Sequence, residues 1–319
     1  MTYAKYRHAL PQLGDTRFLT DSGFETTMIF HEGIDLPLFA SFVVFDSPKA
    51  RAATRAYFDR HAAIAVERGL GFVADTPTWR ASSGWGEKLG YTPEDLDRVN
   101  REAVAMMFGV RDQWEQPGTP VVISGNIGPR GDGYRPEGFM TADEAEAYHG
   151  PQARTFAEAG VDMITAMTIN YVGEALGIAR AAKAVGVPLS LGLTVETDGR
   201  LPTGQPLDEA IEEVDASGAA PAYYMINCAH PEHFRDVVAA GGAWTRQVRA
   251  IRANASRMSH AELDEATELD DGDPVGLGHD YADLQRFLPN LRVFGGCCGT
   301  DHRHVAAMAD ACAGHKAAA

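Results

Sequence analysis

Two kinds of segment alternate along this 319-residue chain almost from end to end. Short apolar or β-branched runs fall at 18–20, 71–74, 120–124, 161–165, 187–194, 222–227, 248–253 and 291–294. Between most of them lies an alanine-rich helical pattern, as at 47–68, 93–113, 141–159, 173–184 and 206–217. Gly69, Gly160, Gly186 and Gly218 close four of these stretches, where a left-handed C-terminal residue is needed. Repeated strand–helix units predict a parallel sheet. Eight such runs predict an α/β chain closed into a (β/α)8 TIM barrel, one domain spanning 1–319. The seventh run carries Arg249 and Arg252 and is recognised only through the other seven.

Composition narrows the partners. The apolar fraction of 45% is enough for a sizeable core. No run approaches the roughly 18 apolar residues that cross a bilayer, and the residues from Met1 to Arg7 have no apolar stretch behind them. The expectation is a cytoplasmic protein with no secretory signal. A formal net charge of −16 argues against nucleic acid and against an anionic membrane surface. Residues 258–285 hold nine acidic groups and no Lys or Arg. The plain reading is a solvated acidic helix and loop; the functional one is a lid or a contact in a homo-oligomer.

The four cysteines are too few for a disulfide scaffold in a chain this long, and they fit metal or catalytic use. Cys297 and Cys298 are adjacent in Gly295-Gly296-Cys297-Cys298-Gly299-Thr300, and Cys228 follows Asn227. Neighbours on a strand point to opposite faces, so the pair can share an ion only if the backbone leaves strand geometry. Three flanking glycines give that freedom. Three thiolates suit Zn2+ and leave a fourth tetrahedral position open, as in catalytic zinc sites. Cys228 ends the sixth strand and Cys297 and Cys298 the eighth, so all three fall at the C-terminal mouth where such barrels carry their sites. The rival readings are buried free thiols or a redox-active Cys297–Cys298 pair. Cys312, in an alanine-rich final helix, reads as packing.

On these motifs the chain resembles the zinc-dependent homocysteine S-methyltransferases. The glycine-flanked cysteine pair matches the signature segment of that family, and Asn227-Cys228 matches the segment of the first zinc thiolate. Asp21-Ser22-Gly23-Phe24 resembles the first-strand segment that holds the amino-acid part of homocysteine, and the segment 127–132 resembles the loop after strand three. The resemblance implies a zinc thiol methyltransferase, with Asp21, Gly23, Phe24, Met167, Thr168 and Asn227 around the substrate and Cys228, Cys297 and Cys298 on the metal. One position departs. Where the family carries a glutamate that contacts the substrate amino group, this chain has Met167, and a charge-assisted hydrogen bond is lost. Asp21 or another acid then does that work, or the acceptor is not homocysteine.

Zinc would keep an acceptor thiol deprotonated, so no separate general base is required. The methyl donor needs a good leaving group, which points to a sulfonium or quaternary ammonium: S-adenosylmethionine, S-methylmethionine or betaine. Phe24, Trp79 and Trp85 are candidate aromatic faces for such a cation, or packing residues. His230 is the histidine that rivals the thiolates, while His302 and His304 fall in the first turn of a helix capped at Thr300 or Asp301. Glu25, His31 and Glu196 also lie in predicted mouth loops. Alternative functions are the same chemistry on another thiol or selenol, or a thiol-binding or redox-sensing zinc protein without turnover.

Overall fold

The computed structural model describes residues 4–312. Within them eight parallel strands close a barrel in sequential order. They are β1 (Phe18–Leu19), β2 (Gly71–Asp75), β3 (Val121–Ile127), β4 (Met163–Ile169), β5 (Leu189–Leu193), β6 (Tyr223–Asn227), β7 (Val248–Ala253) and β8 (Val293–Gly296). The seam is closed by β1 against β8, with Phe18 opposite Val293 and Leu19 opposite Phe294. All eight expected strands are present, and β7 covers the expected residues. The ends of the expected domain and the first residues of the N-terminal reading lie outside the described residues.

The long outer helices follow from local sequence. Pro48–Glu67 starts on the Ser47 cap, and Pro93–Trp114 and Ala142–Ala159 each start on a threonine capping box. Gly69, Gly160, Gly186 and Gly218 all take positive φ, as their positions required. Between strands and helices lies one large apolar cluster, and a separate smaller one fills the barrel. Phe18, Val73, Val122, Met163, Tyr223, Met225 and Val293 make the inner packing. A short turn at Pro11–Leu13 plugs the bottom, where Gln12 bonds Met163 Sδ at 3.1 Å and Arg249 donates to the Gln12 carbonyl.

Going up the barrel, buried polar residues appear: Asp75, Ser124, Asn126, Thr165 and Arg252. This explains the weak signal of the seventh run. Arg249 serves the bottom plug and Arg252 the mouth, so the strand is built around two cations. No helix among the described residues is long and apolar enough to cross a membrane.

Candidate metal centre and active site

Cys228 comes directly after β6, with φ at 56°. A non-glycine residue pays about 1–2 kcal/mol for that left-handed turn. The surroundings fix it. Its N–H donates to the Arg252 carbonyl at 3.0 Å. Its carbonyl accepts from Asn254 Nδ2 at 3.1 Å and from His260 Nε2 at 2.6 Å. The turn throws the sulfur into the mouth instead of continuing the pleat.

Cys297 and Cys298 follow β8 in a tight turn. Cys297 N–H donates to the Ala253 carbonyl, and the Cys297 carbonyl accepts from Thr300 N–H and Oγ1. The glycines divide two tasks. Gly299, at φ 78°, supplies the backbone freedom. Gly295 and Gly296 instead allow close approach, because a Cβ there would collide with the hydroxyls of Thr20 and Thr300.

The three sulfurs lie within 4.8 Å of one another, and Cys228 Sγ is 3.8 Å from Cys298 Sγ. Zinc–sulfur bonds of about 2.3 Å at tetrahedral angles place two sulfurs about 3.8 Å apart, so the spacing fits that ion. Acid–base chemistry points the same way. Hydrogen bonds from Cys297 and Cys298 hold the Cys228 thiol below its ordinary range. The same pairing pushes Cys297 up, and Cys298 up to about 12. Three close thiols cannot all ionise unaided; a divalent cation removes that conflict.

The sulfurs face a cavity of about 310 Å³, at the small end for small-molecule sites. Asp21, Gly23, Phe24, Met167 and Thr168 all line it, as do Glu25, Phe39, Trp79, Arg80, Tyr134 and Arg252. Asn227 is fully buried behind the wall. Its amide is spent on Thr168, accepting from the backbone N–H at 2.9 Å and donating to Oγ1 at 2.8 Å. Thr168, at φ 62°, is thereby held in a second left-handed turn.

Sequence reasoning missed the charge centre of the mouth. Arg252 Nη1 reaches Asp21 at 2.6 Å and Asp75 at 3.0 Å, and the guanidinium also donates to the carbonyls of Gly296 and Ser22. Burial works against the Arg252 charge, but the two carboxylates outweigh it and hold its pKa above the ordinary value. Burial pushes Asp75 up to about 6, with Arg252 opposing. Tyr57 adds a hydrogen bond to Asp21 at 3.0 Å.

Tyr134 was also missed. Its hydroxyl lies 3.3 Å from Cys298 Sγ and 3.5 Å from Cys228 Sγ. Its ring stacks on His260 at 3.9 Å, and His260 Nδ1 faces Glu196 at 3.1 Å. Asn170 holds the tyrosine loop by donating to the carbonyls of Asp132 and Gly133. Across the same mouth Arg135 pairs with Asp264 at 3.4 Å. The acidic segment thus contributes Asp264 to the cavity rim and His260 behind the Tyr134 ring.

The remaining candidates sort by geometry. His230 caps the helix Pro231–Ala240, accepting from Glu232 N–H, and burial pushes its pKa down to about 4. His302 and His304 open the helix His302–Cys312 behind Asp301, which accepts from Arg303 N–H. Among the described residues the cysteine trio is the group of ligating side chains close enough for one ion. Trp79 borders the cavity, whereas Trp85 lies behind it between Arg80 and Lys88. His31 is exposed and Cys312 is packed in the core.

The arrangement has relatives. The profile of the family described as homocysteine S-methyltransferase matches residues 18–312. The structure is similar to the homocysteine methyltransferase MmuM of Escherichia coli. With its oxidised form the TM-score is 0.73 at 19% identity, covering 94% of this chain and 97% of that one. With its metallated form the TM-score is 0.70 at 17% identity, covering 95% and 98%. At that identity the likeness speaks for the fold. No curated protein matches the sequence. The family profile, running from β1 to the last helix and taking in all three clustered cysteines, settles the assignment: this chain belongs to the homocysteine S-methyltransferase family.

Proposed function

We propose that this protein is a zinc-dependent S-methyltransferase that moves a methyl group from a sulfonium or quaternary-ammonium donor to homocysteine, giving methionine. The observation that carries the reading is the trio of sulfurs within 4.8 Å of one another, one pair at tetrahedral-edge spacing, facing a small-molecule cavity. In this reading Cys228, Cys297 and Cys298 hold the ion. Bound there, zinc would supply a site at which an acceptor thiol stays ionised at neutral pH.

The chain's own residues position the reactants. Asp21, Gly23, Phe24, Met167 and Thr168 form the wall around the acceptor, and Asn227 keeps Thr168 in place. Arg252 holds Asp21 and Asp75 still and braces the Gly296 carbonyl next to the cysteine turn. Phe39 offers an aromatic face to a cationic donor, while the Trp79 ring already carries the Arg80 guanidinium. The loops that carry Tyr134 and Asp264 meet across the mouth through the Arg135–Asp264 pair. In the transfer the acceptor sulfur forms a bond to the methyl carbon. The donor's carbon–heteroatom bond breaks, and its electron pair stays on the leaving group. The acceptor proton is released to solvent. Bringing the two molecules into line is the main rate contribution. We place the enzyme in the cytoplasm, where its thiols stay reduced.

The test is methionine formation by reduced, zinc-loaded protein given homocysteine and S-adenosylmethionine, S-methylmethionine or betaine in turn. Product with one donor supports the reading and names the methyl source. Full zinc occupancy without product from any of them overturns homocysteine as acceptor.

A further inference from the structure

Five carboxylates line the cavity: Asp21, Glu25, Asp75, Asp132 and Asp264. Four are paired. Asp21 and Asp75 share Arg252, Asp132 lies 4.0 Å from Arg80, and Asp264 pairs with Arg135. Glu25 has no basic partner among the described residues. Arg80 feels the Glu25 charge but forms no ion pair with it; its guanidinium stacks between the rings of Trp79 and Trp85 and donates to the Leu38 carbonyl. A half-buried carboxylate without a counter-charge is disfavoured, and burial pushes Glu25 up to about 7. A cationic ligand group would remove that cost.

Glu25 is also fixed relative to the sulfurs. It sits in the turn Phe24–Thr26, which packs onto the cysteine turn. A Cβ on Gly23 would lie 2.6 Å from the Cys297 carbonyl oxygen. Gly23 N–H donates to Thr300, and Gly299 N–H donates to Thr26 Oγ1 at 3.1 Å. A ligand whose sulfur sits on the cluster therefore finds Glu25 at a set position.

We propose that Glu25 receives the α-ammonium of an amino-acid thiol and so sets acceptor specificity, an inference that rests on the thiol-acceptor reading above. The ammonium fits better than a donor onium. Its N–H groups can donate charge-assisted hydrogen bonds to a carboxylate, which onium methyls cannot. Phe39 remains available to the onium. Asp21, the other acid of the same segment, has its charge engaged by Arg252.

Calorimetric titration of the zinc-loaded protein with homocysteine and with γ-mercaptobutyrate, which lacks the amino group, tests this without turnover. The wild type should prefer homocysteine. In Glu25→Gln the homocysteine Kd should rise about tenfold, while γ-mercaptobutyrate binding changes by less than about twofold. Glu25→Asp should retain part of the preference, and zinc content and the unfolding midpoint check that each variant is intact. An undiminished homocysteine preference in Glu25→Gln overturns the proposal. So does a rise in donor KM with thiol binding unchanged, which assigns Glu25 to the onium. A wild type that binds neither thiol overturns the acceptor reading itself.

Discussion

Replacing Arg252 with methionine removes the cation from the mouth and keeps most of its volume. The residue is 5% exposed and contacts Asp21, Asp75 and the carbonyls of Gly296 and Ser22. Breaking a buried pair by removing one partner costs about 3–5 kcal/mol, because the other charge is left behind. Here two carboxylates are left, so the loss depends on pH. Asp75 already sits at about 6 with Arg252 present. A folded pKa raised above the unfolded value means stability present at low pH and lost as pH rises through the folded pKa. Without Arg252 that pKa climbs further, and each unit is worth about 1.4 kcal/mol. Arg252→Met should therefore lose about 3–5 kcal/mol near pH 8 and about 2 kcal/mol less near pH 6. Urea unfolding followed by tryptophan fluorescence at the two pH values measures both. Arg252→Met combined with Asp75→Asn should recover much of the pH 8 loss. A loss below about 1 kcal/mol, or one equal at both pH values, refutes the buried charge centre.

Cys298→Ala should abolish zinc retention through dialysis and methyl transfer together; full zinc occupancy in that variant contradicts the ligand assignment. Burial holds His61 down to about 4, between Ser22 and the Tyr57 carbonyl. Its folded pKa lies below the unfolded one, so stability present above about pH 6.5 is lost as pH falls toward 4, by up to about 3 kcal/mol. His61→Gln should flatten that acid limb in urea melts, and parallel limbs contradict it. Tyr134→Phe keeps the ring on His260 but deletes the hydroxyl beside the sulfurs. Zinc affinity by chelator competition should fall about tenfold, the worth of one hydrogen bond to a charged group; an unchanged affinity contradicts that contact.

The barrel was legible because its signals are local: an apolar run, a helical pattern and a closing glycine repeat along the chain. The cysteine trio was legible for a related reason. Two of its members are adjacent, and Gly295 and Gly296 are demanded by contacts with Thr20 and Thr300 in the same stretch of mouth. Arg252 was visible only as a blemish in a strand. Its meaning needs Asp21 from just past β1 and Asp75 from β2, which no sequence spacing relates to β7. Tyr134 and His260 meet across two loops more than a hundred residues apart. Loop side chains converge through tertiary packing, and a linear pattern carries no trace of it. Glu25 could not be ranked from sequence, because its distinction is the lack of a basic partner among the described residues, and that is visible only once the other four acids have theirs.

The central claim is a three-thiolate zinc with one position open to the acceptor sulfur. Zinc-edge X-ray absorption on the metal-loaded protein, before and after homocysteine, tests it directly. The account predicts three sulfurs at about 2.3 Å plus one lighter atom, becoming four sulfurs when the thiol is added. A histidine nitrogen in place of one sulfur, or a sulfur count that stays at three with homocysteine in excess, would contradict it.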